Sequence, residues 1–104
     1  MGDAAKSVHY HALFDCDVRE AAGWYDRCLP GLGDIFVEKV RVAVNKIIAD
    51  PRRFAHTSLS GIRYARVAKF PYVVLFDTDG ECLEFFAVLH TARDIGKWRE
   101  RLEP

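Results

Sequence analysis

Two residues able to do chemistry, His90 and Arg93, stand at the end of the most apolar run in the chain, CLEFFAVLH at Cys82–His90. An imidazole takes up or gives a proton near neutral pH. A guanidinium holds a phosphate or carboxylate through paired hydrogen bonds. A rigid strand that delivers both at its end is a suitable place for a site. The same pattern also fits an ordinary strand running out into solvent, with His90 satisfying backbone groups and Asp94 capping a helix that follows. More cationic side chains come from the stretch between Pro51 and Phe76, which holds Arg52, Arg53, Arg63, Arg66 and Lys69 and no acid. Strand alternation puts Arg63 and Lys69 on one face if the strand runs on past Val67, and Arg66 on the other.

Other chemistries are poorly served. His9 and His11 share one face of an alternating stretch, but no third metal ligand is in view. Cys16, Cys28 and Cys82 are odd in number and lack CxxC or Cys/His spacing. They read as small buried or half-buried hydrophobes. No metal and no cofactor is expected. Fifteen basic and fifteen acidic side chains cancel, which excludes a strongly basic nucleic-acid binder. The chain has 104 residues, half of them apolar, enough for one domain spanning residues 1–104 with a real core. MGDAAKSVHYH lacks the apolar segment of a signal peptide, and no apolar run reaches the roughly 20 residues of a membrane span. A reducing, cytoplasmic compartment is the expectation.

The elements that must position these residues follow from periodicity. VHYHALF, residues 8–14, alternates and predicts a strand. Asp17 with Glu20 predicts a capped helix start, with Val18, Ala21, Ala22, Tyr25 and Cys28 as its apolar stripe. Gly23 weakens that helix and offers a place for close approach; Trp24 flanks the stripe and, with Tyr25, reads as packing. After Pro30-Gly31, a longer helix from about Leu32 to Ala49 presents Leu32, Ile35, Phe36, Val40, Ala43, Val44, Ile47 and Ile48, and Asp50-Pro51 ends it. So short a break makes an antiparallel helical hairpin. Three strands follow at Ile62–Val67, Tyr72–Asp77 and Cys82–His90. Thr78-Asp79-Gly80 turns the last two into a hairpin. In the last strand, Leu83, Phe85, Ala87 and Leu89 share one face by alternation, and Phe86 and Val88 the other, so it lies centrally in the sheet. Residues 95–102, with Trp98, read as a short terminal helix. The fold class is α+β: a small, antiparallel-dominated four-stranded sheet packed by an N-terminal helical hairpin, in the order β-α-α-β-β-β-α.

That order, and the words within it, resemble the RelE/ParE toxin superfamily, in particular its ParE-like plasmid stabilisation branch. Glu20-Ala21-Ala22-Gly23-Trp24-Tyr25 matches an EAA-x-WY-like segment. Pro30-Gly31-Leu32-Gly33-Asp34-Ile35-Phe36 matches PGLG-x-x-F, and Pro51-Arg52-Arg53-Phe54 matches P-x-x-F. Arg63, Val67, Phe70-Pro71-Tyr72, Val74 and Phe76 fall as R-x-x-x-V-x-x-FPY-V-x-F. Ala87-Val88-Leu89-His90, Arg93-Asp94 and Trp98 fit the closing AVLH-x-x-RD and its tryptophan. The matches span about residues 8–99.

The resemblance implies the toxin of a type II toxin–antitoxin pair, held inactive by a cognate antitoxin. Members act on DNA gyrase, as ParE-like proteins do, or cleave mRNA in the ribosome, as RelE-like endoribonucleases do. In a nuclease, a 2′-hydroxyl attacks its neighbouring phosphate, so a proton-transfer group and cations are needed. His90, Arg93 and Arg63 would then be catalytic. In a ParE-like toxin there is no such centre, and Arg63, Lys69, Arg93 and Trp98 are candidates for contact with partner or target. Few lysines stand near the C-terminus, so the ParE-like reading comes first, the mRNA interferase second and a non-toxic orphan homologue third. A surface that an antitoxin normally covers is partly apolar and favours a homodimer in its absence.

Overall fold

The computed structural model describes residues 7–57, 61–94 and 100–101. Its order is β1 (Ser7–Tyr10), α1 (Phe14–Cys28), α2 (Leu32–Ala49), a 3₁₀ turn (Pro51–Arg53), β2 (Arg63–Arg66), β3 (Tyr72–Thr78) and β4 (Cys82–His90). The sheet runs β1-β4-β3-β2, with β1 parallel to β4 and the other two pairings antiparallel. The α+β class and the antiparallel-dominated sheet are as predicted. The terminal helix and Trp98 fall outside the described residues, apart from Glu100 and Arg101, which are helical.

The helical hairpin covers one face of the sheet. Val18 and Ala21 of α1 and Phe36, Val40, Ala43, Val44 and Ile47 of α2 pack on Val74, Phe76, Leu83, Phe85 and Val88. Ile35, expected on the buried stripe, is half exposed. The close approach of the two helices falls at Gly33 rather than Gly23. A Cβ on Gly33 would lie 2.4 Å from the Ala22 carbonyl oxygen, so no larger residue fits without moving a helix. Asp26 of α1 reaches across and accepts the Gly33 N–H at 2.7 Å, satisfying one of the orphan donors that begin α2. The PGLG segment is therefore where one helix caps the next.

Two strand predictions are corrected. The first strand stops at Tyr10, and Phe14 opens α1 instead of ending the strand. Phe14 is apolar at a position where strand alternation and helix stripe coincide, and it is buried against Phe85 at 5.7 Å between ring centroids. His11 makes the turn. Its carbonyl accepts the Phe14 N–H and its Nδ1 the Leu13 N–H, both at 3.0 Å. Asp17 thus lies inside the first turn and does not begin the helix.

The second correction concerns β4. The pairing passes from Leu75↔Ala87 to Phe76↔Phe85, so Phe86 is an extra, bulged residue. A bulge reverses side-chain parity beyond it. Leu83, Phe85 and Val88 therefore face the helices. Ala87 and Leu89 face the opposite side with Ile62, Val73 and Leu75. Both sets are buried, as a central strand requires. The cysteines are unpaired, but only Cys16 is half-buried; Cys28 and Cys82 are exposed, against expectation.

Candidate functional site

β4 ends where β3 begins: His90 pairs with Tyr72 in the register of the sheet. The chain then folds into a tight turn built on His90. Its Nδ1 accepts the N–H groups of Ala92 and Arg93, each at 3.0 Å. Its own N–H donates to Asp94 Oδ2 at 2.7 Å. A nitrogen accepting two N–H groups carries no proton, so Nε2 alone is left for other work. The His90 ring meets Tyr72 edge-on at 5.2 Å. His90-x-x-Arg93-Asp94 is thus a self-capping turn whose product is the position of Arg93.

Arg93 is aimed back over the sheet end toward α1. Its Nη2 donates to the Tyr72 hydroxyl at 3.0 Å, and its guanidinium carbon lies 5.3 Å from the centre of the Trp24 ring. Tyr72 is 5% exposed, and burial pushes its phenol above the ordinary range, partly opposed by Arg93. Tyr25 packs between Trp24 and Phe70, and burial raises its phenol too. Trp24, read from sequence as packing, is 43% exposed.

Between α1 and the ends of β3 and β4 these residues enclose an open groove of about 470 Å³, whose lining includes Gly23, Trp24, Arg27, Tyr72, Leu89 and Arg93. Gly23 has no side chain to fill it. A Cβ there would lie 3.7 Å from Arg27 Nη1, so the Arg27 guanidinium folds back over the glycine. Arg19, on the same face, is paired with Asp15 at 2.9 Å in solvent.

The carboxylates lining the groove are engaged. Asp17 is gripped by Arg101 through two bonds of 2.8 and 2.9 Å and accepts the Val88 N–H at 3.1 Å. Asp94 accepts the His90 N–H, and Glu20 accepts the Cys16 thiol at 3.4 Å. That bond is the main cause pushing the Cys16 thiol up. Among the described residues, neither Arg27 nor Arg93 is paired with a carboxylate. The groove therefore presents two exposed guanidinium groups that no carboxylate bonds, beside an exposed indole.

The other candidates are not brought here. Arg63 pairs with Phe76, four residues along β3 from Tyr72, which is about 13 Å at strand rise. Its guanidinium donates to the carbonyls of Arg52 and Phe54 and pins the chain before β2. Lys69 lies exposed in the β2–β3 turn, with a left-handed φ of 72°, so the strand parity that aligned it with Arg63 does not extend to it. Arg27, Trp24 and Tyr72 were missed. The one local signal was Arg27 a helical turn beyond Gly23, where the glycine leaves room for a long side chain. Among the described residues, no group of three or more His, Cys, Asp or Glu stands together as metal ligands. Among the same residues, no helix is long and apolar enough to cross a membrane.

Neither a family model nor a curated protein sequence matches the chain. The fold does match. A chain of the chromosomal ParDE TA system from P. aeruginosa superposes with a TM-score of 0.73, covering 86% of this chain and 98% of that chain. Sequence identity is 13%. The fold is thus ParE-like, and the resemblance read from the motifs holds at that level.

Proposed function

We propose that this chain is the toxin of a ParE-like toxin–antitoxin pair, neutralised in the cytoplasm by direct contact with a cognate antitoxin. The observation that carries the reading is the fold likeness over 98% of a chain from a ParDE system. The groove supports a toxin that works by protein contact. RNA cleavage needs an acid, a base and cations converging on one phosphate. Here Arg63 is tied to backbone carbonyls away from His90, and His90 Nδ1 is spent on the turn.

Induced expression of the chain, alone and together with the product of any small reading frame beside its own, tests this. Growth arrest by the chain alone, relief by the neighbour and co-purification of the two are expected. Parallel readouts of DNA supercoiling and translation report whether gyrase or the ribosome is hit. A culture that grows normally under induction would overturn the reading in favour of a non-toxic homologue. RNA cleavage lost in His90→Ala would replace it with an mRNA interferase.

A further inference from the structure

We infer that the Arg27–Arg93 groove is a carboxylate-recognition site that takes an acidic side chain of the antitoxin, with an apolar neighbour of that side chain seated on Trp24. The inference rests on the toxin reading above and names the chemistry of one contact in it.

Both guanidinium groups are solvent-exposed, and among the described residues neither is bonded to a carboxylate, so both have donors open to an incoming anion. Arg93 is not a loose surface residue. The His90 turn fixes its backbone, the Tyr72 hydroxyl orients one Nη and the Trp24 face holds its plane. Its remaining N–H groups are preorganised for a planar, two-oxygen acceptor. Arg27 Nη1 lies over Gly23, 3.7 Å from where a Cβ would stand. Both line one groove, whose carboxylates already have donors.

A peptide fits this site better than a nucleic acid. Among the described residues of the groove, two guanidinium groups lack a carboxylate bond, and Asp17, Glu20 and Asp94 line the same groove, so a run of phosphates meets several like charges where a single carboxylate can sit on the two arginines. A volume of about 470 Å³ suits a few side chains. The exposed indole offers an apolar seat next to the cations. One carboxylate flanked by an aliphatic side chain satisfies all of these features.

The test has two arms on the full-length chain. In the first, arginine Nε–H and tryptophan indole NMR signals are followed while capped Leu-Glu-Glu-Leu, its Leu-Gln-Gln-Leu counterpart or a ten-nucleotide RNA is added. Binding of the Glu peptide at Arg27, Arg93 and Trp24, at least tenfold tighter than its Gln counterpart and lost in Arg27→Gln/Arg93→Gln, is expected. Equal affinity of the two peptides, or tighter binding of RNA, overturns the inference. In the second arm, the co-purified antitoxin is titrated against wild type and Arg27→Glu. A loss of tenfold or more is expected, restored by changing one antitoxin acid to Arg. An antitoxin complex insensitive to Arg27→Glu and Arg93→Gln overturns the inference and leaves the toxin reading standing. Absence of growth arrest with intact peptide recognition overturns the toxin reading instead.

Discussion

At the scale of the residue, His90 has a structural duty: it caps the turn that follows β4. Its imidazole stands where an acid or base would be placed, yet Nδ1 is occupied by two backbone donors. Replacing His90 with Ala leaves both N–H groups seeking water and lets the turn loosen, at a cost of about 1–2 kcal/mol. His90→Asn, whose amide oxygen can accept the same donors, is expected to recover more than half of that. Urea unfolding of the two variants checks it, and equal losses would deny the capping role. The buried phenols give a pH effect with a definite sign. Burial raises the Tyr72 and Tyr25 phenols in the folded chain from an ordinary value of 10.0. Their contribution to stability is complete below about pH 10 and is lost as pH rises through the folded-state values. Phenolate absorbance of the native chain is expected to lag that of the urea-unfolded chain in this range, and superimposable titrations would contradict the burial. His90 and Arg93 were legible in the sequence because they interrupt an apolar run. Arg27 and Trp24 were not, because only the packing of α1 against the ends of β3 and β4 gives them a common groove.

At the scale of the element, legibility followed the clarity of the stop signals. The limits of α2 at Leu32–Ala49 and of β4 at Cys82–His90 agree with the sequence reading, since Pro30-Gly31, Asp50-Pro51 and the Thr78-Asp79-Gly80 turn punctuate them. The β1–α1 boundary was obscured because Val8, Tyr10, Ala12 and Phe14 continue a strand rhythm into a helix. The bulge at Phe86 was invisible because one inserted residue leaves no periodic trace. The junction of the helices is the most sensitive point at this scale. Gly33→Ala forces a methyl against the Ala22 carbonyl, and overpacking of this kind costs about 1–3 kcal/mol. Asp26→Ala removes a cap from α2 and costs about 1 kcal/mol. Because both changes act at one contact, their combined cost is expected to fall short of the sum. Denaturant unfolding of the two single variants and the double variant checks this, and strict additivity would mean that the sites are independent.

At the scale of the whole molecule, the Asp17–Arg101 pair ties together three distant parts of the chain. The bulge in β4 leaves the Phe86 carbonyl and the Val88 N–H outside the regular ladder, and β1 is too short to reach them. Asp17 from α1 takes the N–H at 3.1 Å and Arg101 takes the carbonyl at 3.0 Å. The two side chains are only 11% and 9% exposed and close on each other, which holds the Arg101 guanidinium above its ordinary range. Removing one partner of so buried a pair leaves a charge without compensation and costs about 3 kcal/mol, at the low end because Asp17 keeps its backbone donor. Deleting residues 95–104 removes Arg101 and is expected to lower Tm by on the order of 12–24 °C for a chain of this size. The sign of a second change separates charge from lost contact. In the truncated chain, Asp17→Asn keeps an acceptor for Val88 but removes the stranded charge, so it is expected to restore part of the stability. In the intact chain the same substitution breaks the ion pair and destabilises. Calorimetric melting of the four chains measures both effects, and an Asp17→Asn change of the same sign in both backgrounds would show that the pair does not bind the C-terminal segment to the bulge.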